Sequence, residues 1–361
     1  MPRPYRALVN AVAAGDAAAL AAVIERDPEA ARHWKPIVDA VFAGRADMVR
    51  MLLEADADPN VVSGTGSRHT PLTRVTQHHV TIPRHAGHVD VVNALLEGGA
   101  DPDLRAGPFE IEPMAYAAMA PNHEFVSVLR RAGATIGIHM AGILLDQGRL
   151  EDFLRDDGLV QAGDARGRKA LDYVAWSGFW RTPGRDALAC ATMLLEAGAG
   201  VDDGEEIVEG DEVFTATPLW RTLSWPRNYP LAELLLERGA NPDNAVFTVT
   251  YQGAVEGCEL LDRFGANWEH TAEGRTPLMD LMHFKKPGGS IWLIERGVDV
   301  RATDTSGKTA LHYAAVQGVR ADYVERLLVA GADPGAKDAD GKTPFDYAKE
   351  RNRGKLIDLL R

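Results

Sequence analysis

One helix ending, LLVAGADP at 327–334, constrains this chain more than any other feature, because it returns. Variants stand at 52–59 (LLEADADP), 95–102 (LLEGGADP), 128–135 (VLRRAGAT), 193–201 (MLLEAGAGV), 234–242 (LLLERGANP), 260–267 (LLDRFGAN) and 293–300 (LIERGVDV). A leucine pair followed by Gly, or by Asp-Pro, reads as the close of a helix and the turn that leaves it. The spacing is mostly in the low thirties and stretches where residues are inserted. Fixed-period self-similarity of this length marks a repeat architecture, in which no unit can bury its own apolar face and each needs a copy on either side.

A second signature opens the units: TPL at 70–72, 217–219 and 276–278, TAL at 309–311 and TPF at 343–345. Thr caps a helix, and Pro at the first helical position loses no hydrogen bond. Residues 307–334 show both signatures in one stretch. Thr309 starts a short helix with Leu311, Ala314 and Ala315 on its small face, and Gly318 breaks it. Tyr323, Val324, Leu327 and Leu328 recur at helical spacing in a second helix, which Gly331 stops before Asp333-Pro334.

On these residues the chain resembles the ankyrin-repeat family, whose pattern G-x-T-x-L-H-x-A-A…G…LL…GADP is almost whole in 307–334. The resemblance implies an all-α solenoid of about ten to eleven helix-turn-helix repeats with short hairpin loops, one domain over 1–361. At about 33 residues per unit the length of 361 residues accommodates about eleven. The expected array begins with a degenerate repeat at 1–34 and closes with a capping repeat at 341–361. Inserted loops interrupt it near 77–85, 179–186, 202–216, 225–229 and 284–290. The resemblance also implies that first helices line a concave binding face with the loops beside it.

Formal charge is −13 and the isoelectric point about 5.3. This disfavours nucleic acid and anionic membrane as partners and favours a basic protein. Cys190 and Cys258 fall among apolar neighbours on second helices, as buried thiols of a reducing, cytoplasmic setting do. No apolar run approaches membrane-spanning length.

Three clusters are candidates for function. Counted from the family pattern, the two positions before the mid-repeat Gly point into the groove. In repeats six to nine they hold Trp176-Ser177, Ser224-Trp225, Tyr251-Gln252 and His283-Phe284. An aromatic ring in each of four successive repeats reads as a row of binding anchors; inserted loops folding over the rings would bury them instead. Trp220, Trp268 and Trp292 read as packing residues. Asp202, Asp203, Glu205, Glu206, Glu209, Asp211 and Glu212, with Ile207, Val208 and Val213 between them, read as an acidic hairpin with an apolar side. It is either an electrostatic guide for a basic partner or a solvated loop.

The third cluster, His69, His78, His79, His85 and His88, has irregular spacing and no cysteine nearby, which fits a polar insertion better than a metal site. No catalytic motif is present, and Asp39, Asp172 and Asp280 stand alone near first helices. The expectation is therefore a non-enzymatic, cofactor-free, monomeric protein-binding module that grips a basic protein or segment in its groove. The Ala- and Arg-rich composition points to a high-GC bacterial source, where acidic ankyrin arrays resemble immunity proteins that occlude toxins. The alternatives are a scaffold or effector recruiting a cellular protein, and a small-molecule binder or enzyme using the Trp-lined groove.

Overall fold

A computed structural model describes residues 5–64, 66–77, 87–156, 158–209, 212–269 and 274–361. The helices come in consecutive pairs. They are α1 Arg6–Ala14 and α2 Ala17–Arg26, α3 Trp34–Phe42 and α4 Ala46–Glu54, α5 Pro71–Thr76 and α6 His88–Glu97. Next come α7 Pro113–Met119 and α8 His123–Arg131, α9 Ile138–Ile143 and α10 Gln147–Phe153, α11 Ala170–Trp176 and α12 Ala187–Glu196. The chain continues with α13 Pro218–Ser224 and α14 Tyr229–Glu237, α15 Val246–Gln252 and α16 Val255–Arg263, α17 Pro277–His283 and α18 Ser290–Arg296. It ends with α19 Ala310–Gln317 and α20 Ala321–Val329, α21 Pro344–Glu350 and α22 Gly354–Leu359.

Between α12 and α13 a hairpin, β1 Glu205–Glu209 and β2 Glu212–Ala216, is the one two-stranded sheet among the described residues. The fold class is therefore an all-α repeat solenoid.

The chain divides into two compact units, 1–160 with 176–193, and 161–175 with 194–361. Within each, first helices stack on first helices, as α3 on α5 and α5 on α7, or α17 on α19 and α19 on α21. Second helices stack likewise, as α4 on α6 and α18 on α20. The stacking buries the recurring leucines: Leu52, Leu95 and Leu129 in the first unit and Leu235, Leu261, Leu293 and Leu327 in the second are fully out of solvent. These helices of six to ten residues are too short to be stable alone, so inter-repeat packing supplies what propensity does not.

The helix starts follow the signature. Thr70, Thr217, Thr276 and Thr343 each accept a hydrogen bond from the backbone N–H three residues on, with Pro at the first helical position.

The turns carry a second, finer repetition. Asp164, Asp304 and Asp338 each accept a hydrogen bond from a tyrosine hydroxyl nine residues later, at 2.7 Å from Tyr173, 2.5 Å from Tyr313 and 2.6 Å from Tyr347. The other oxygen of each takes the backbone N–H four residues on, at 3.0, 2.8 and 2.9 Å. Burial works against charge at these carboxyls, but the tyrosine and backbone donors, joined at Asp164 by Arg168, hold all three below the usual carboxylate range. Each clamp ties an inter-repeat turn to the helix that follows it.

Candidate functional site

The acidic stretch does fold as a hairpin, but it is not a free acidic finger. Register pairs Glu206 with Thr215 and Val208 with Val213 on one face, Glu205 with Ala216 and Ile207 with Phe214 on the other. The second face lies inward. Glu205 is buried and is met by three arginines of its own unit: Arg221 at 2.7 Å, Arg166 at 2.5 Å and Arg168 at 4.0 Å. Arg221 also donates to Asp172 at 2.8 Å, and both of those side chains are buried. Burial pushes the Asp172 carboxyl up to about 6 against the pull of Arg221.

Asp203 pairs with Lys169 at 2.6 Å, and Asp202 accepts from the Asn241 backbone and the Asn244 amide. Three of the seven carboxylates therefore hold the hairpin to its unit, and Glu206 is the one seen exposed to solvent. The Glu209 and Glu212 backbones are paired at the tip, and Asp211 lies outside the described residues. Period-two alternation decides this division, since alternate residues of a strand face opposite sides.

The aromatic row also divides. Trp176 and Ser177 require correction: both are buried, Trp176 at 4% exposure. Trp176 packs 5.5 Å from Phe109, centroid to centroid. The Ser177 hydroxyl donates to the Ile143 carbonyl at 2.7 Å and accepts from the Phe179 N–H at 3.2 Å, starting the short 3-10 turn Gly178–Arg181. These two residues are core of the first unit.

In repeats seven to nine, all in the second unit, the rings are open. Trp225 is 47% exposed, Tyr251 37% and Phe284 38%. They occupy the ends of α13, α15 and α17, which pack side by side. Phe247, which the groove positions of the repeat did not include, completes the patch at 39% exposure. It stands four residues before Tyr251, one helical turn away on the same face, and that spacing is the signal that could have found it. Its ring lies 5.3 Å from Tyr251 and 5.8 Å from Phe284, and Tyr251 lies 6.2 Å from Phe284. His283 sets its edge on Phe284 at 4.8 Å and on Tyr313 at 5.5 Å, so it braces the ring from behind.

The local sequence fixes this surface firmly. The α15 stretch VFTVTYQ is rich in β-branched residues that disfavour helix. Burial of Val246, Thr248, Val249 and Thr250 overrides the propensity, and the Thr250 hydroxyl donates to the Val246 carbonyl. Gly253 ends α15 in the left-handed region at φ 63°. Gly289 lets the next turn lie on α15, because a Cβ there would sit 2.0 Å from the Thr250 carbonyl oxygen.

Gln252 and Ser224 are ties more than contact residues. The Gln252 amide donates to the Ser224 carbonyl and the Thr248 hydroxyl, both at 3.0 Å, and accepts from Arg227 Nε at 2.9 Å.

Around the rings the charge is positive. Arg227, Lys285 and Lys286 are exposed, and Lys286 Nζ lies 5.4 Å from the centre of the Tyr251 ring. Arg227 and Lys285 sit at φ 59° and 56°, in the mid-repeat position that Gly253 and Gly318 fill elsewhere. A side chain in that conformation costs on the order of 1 kcal/mol that glycine does not. Leu145 and Asn352 accept the same cost in other repeats.

The remaining candidates are structural. Asp39 pairs with Lys35 at 3.0 Å and Asp280 with Arg275 at 2.6 Å, so with Asp172 none of the three stands alone. Trp268 and Trp292 pack edge to face at 4.4 Å, and Trp220 lies 5.6 Å from Phe214. His69 is buried, 3.3 Å from the Thr73 hydroxyl and edge-on to Tyr116. His88 opens α6, and His78, His79 and His85 lie outside the described residues. Among the described residues no three metal-ligating side chains converge, and no helix is long and apolar enough to cross a membrane. Both cysteines are buried thiols, and burial pushes each up to about 12.

Comparison with known proteins agrees with the helix pairs. Residues 293–348 match the family model for ankyrin repeats in many copies, and 69–106 match that for a single ankyrin repeat. A putative ankyrin repeat protein of Acanthamoeba polyphaga mimivirus is 40% identical over 68 residues, 19% of this chain and 9% of that protein. Zinc finger CCCH domain-containing protein 50 of Oryza sativa subsp. japonica is 36% identical over 131 residues, 34% of this chain and 20% of that protein. The human mitochondrial disaggregase is 30% identical over 145 residues, 37% of this chain and 20% of that protein. In each case the match spans a fifth or less of the relative's own length. Relatives come from a virus, a plant, animals and a bacterium, so they speak for the repeat and not for any one source. Segments 69–106 and 293–348 thus match ankyrin repeats, and the helix pairs of both units carry the same all-α repeat pattern along the chain.

Proposed function

We propose that this chain is a protein-binding module whose docking surface is the aromatic patch on repeats seven to nine. One observation carries the reading: Trp225, Phe247, Tyr251 and Phe284 are each more than a third exposed on adjoining first helices, while every other tryptophan described is at least partly covered. Exposed large aromatics on a rigid frame are the residues that dominate binding energy at interfaces. They lose little side-chain entropy on binding because the rings already hold one another. Ankyrin repeats support a protein as the partner. Steric occlusion of the partner's own working surface is the activity such a docking would give an otherwise non-catalytic chain.

The expectation of a basic partner rested on net charge and on the carboxylates of 202–212. Asp202, Asp203 and Glu205 are committed within the chain, so they are not free to guide one.

The test is co-purification from the native cell with the intact protein and with a Phe247→Ala/Tyr251→Ala/Phe284→Ala variant. The reading predicts a stoichiometric protein bound to the first and absent from the second. A partner held equally by both would overturn it.

A further inference from the structure

The chain carries −13 overall, yet the rim of its exposed aromatic patch is cationic. Arg227, Lys285 and Lys286 all project at the turns that carry Trp225 and Phe284. Two of them hold left-handed backbone where other repeats place glycine. Lys286 already lies over the Tyr251 ring, which places its charge at the edge of the apolar surface. Among the described residues no ion pair uses these three side chains, and Arg227 bonds the neutral Gln252 amide. A positive rim on a negative protein is local complementarity, and it fixes which partners can approach within a Debye length, about 8 Å at physiological salt.

We infer that the patch takes an acidic protein segment: an extended stretch whose apolar side chains sit on Tyr251 and Phe284 while flanking carboxylates meet Arg227, Lys285 and Lys286. This rests on the docking reading above and adds the charge of the partner. A basic segment would place like charges against the rim and leave the patch's cations desolvated without partners. Single-stranded nucleic acid also combines anionic charge with stacking groups. The rest of the chain argues against it, because the field of 52 acidic residues against 39 basic ones repels a polyanion beyond the few nucleotides that the patch covers.

The experiment is selection from a phage-displayed random twelve-residue peptide library on the full chain. It is run in parallel on Tyr251→Ala/Phe284→Ala and on Arg227→Glu/Lys285→Glu/Lys286→Glu, with thermal unfolding confirming that both variants fold. A synthetic peptide of the enriched consensus and a labelled oligo-dT are then titrated against all three proteins. The expected result is a consensus of Asp and Glu beside Leu, Phe or Trp, bound at least tenfold more weakly by either variant and weakening as salt rises. A consensus that needs Tyr251 and Phe284 but is neutral or basic would overturn the inference and leave the docking reading standing. So would oligo-dT binding that outcompetes the peptide at the patch. Selection that gives no consensus, or one bound equally by the Tyr251→Ala/Phe284→Ala variant, would overturn both.

Discussion

Glu205 on the first strand of the hairpin accepts a 2.7 Å hydrogen bond from Arg221 on α13, and both side chains are almost wholly out of solvent. The pair anchors the hairpin to its unit through charge rather than through an apolar face. Arg166 and Arg168 share the same carboxylate, and Arg221 shares Asp172. Removing Glu205 leaves three arginines around a neutral group. Glu205→Gln is therefore expected to cost about 3–5 kcal/mol, the range for breaking a buried ion pair from one side. Urea unfolding measures it, and a loss below about 1 kcal/mol would show that the cluster is solvated.

The three aspartate–tyrosine clamps give the protein a specific acid sensitivity. The folded Asp304 carboxyl titrates below its unfolded value of 3.8. Its contribution is present above about pH 4 and is lost as pH falls through the lowered folded value. Tyr313→Phe should cost about 1 kcal/mol at neutral pH, a hydrogen bond to a charged group discounted for partial exposure. The gap between wild type and variant should close below pH 4. Unfolding curves at pH 7, 5 and 3 report it, and a gap independent of pH would assign the clamp to packing alone.

Cys190 and Cys258 should be inert in the native protein. Burial raises both thiols far above neutral pH, so thiolate is scarce and access is closed. A thiol-reactive dye at pH 8 should label neither cysteine until denaturant is added, and prompt labelling of either would show local opening of its repeat.

Trp176 and Tyr251 occupy equivalent places in their repeats and should behave oppositely. Trp176→Ala opens a cavity in the first unit and is expected to cost about 3–5 kcal/mol. Tyr251→Ala removes a ring already more than a third exposed and should cost about 1 kcal/mol or less. Paired denaturation curves distinguish them.

The contrast between those two residues also shows what the sequence could and could not reveal. Helix pairs, caps and turns were legible because each repeat writes the same local chemistry, as Thr217-Pro218 and Thr276-Pro277 do. The hairpin was legible in outline from the apolar residues set among its carboxylates. Which rings lie open was not, because exposure depends on which distant segments pack against them. Phe109, 67 residues earlier in the chain, packs on Trp176, whereas the turn after Phe284 leaves its ring open. The inward half of the hairpin was hidden because the arginines that bury Glu205 lie 16 to 39 residues before or after it in the chain. Phe247 was missed because it stands one turn before the position at which the repeat pattern directs attention.

The most direct test of the account is titration calorimetry of the co-purified partner against wild type, Tyr251→Ala/Phe284→Ala and Trp176→Ala. The account predicts a loss of at least about 2 kcal/mol in affinity for the first variant. It predicts no change for Trp176→Ala at a temperature where that variant remains folded. Equal affinity for wild type and the Tyr251→Ala/Phe284→Ala variant would contradict the assignment of the docking surface.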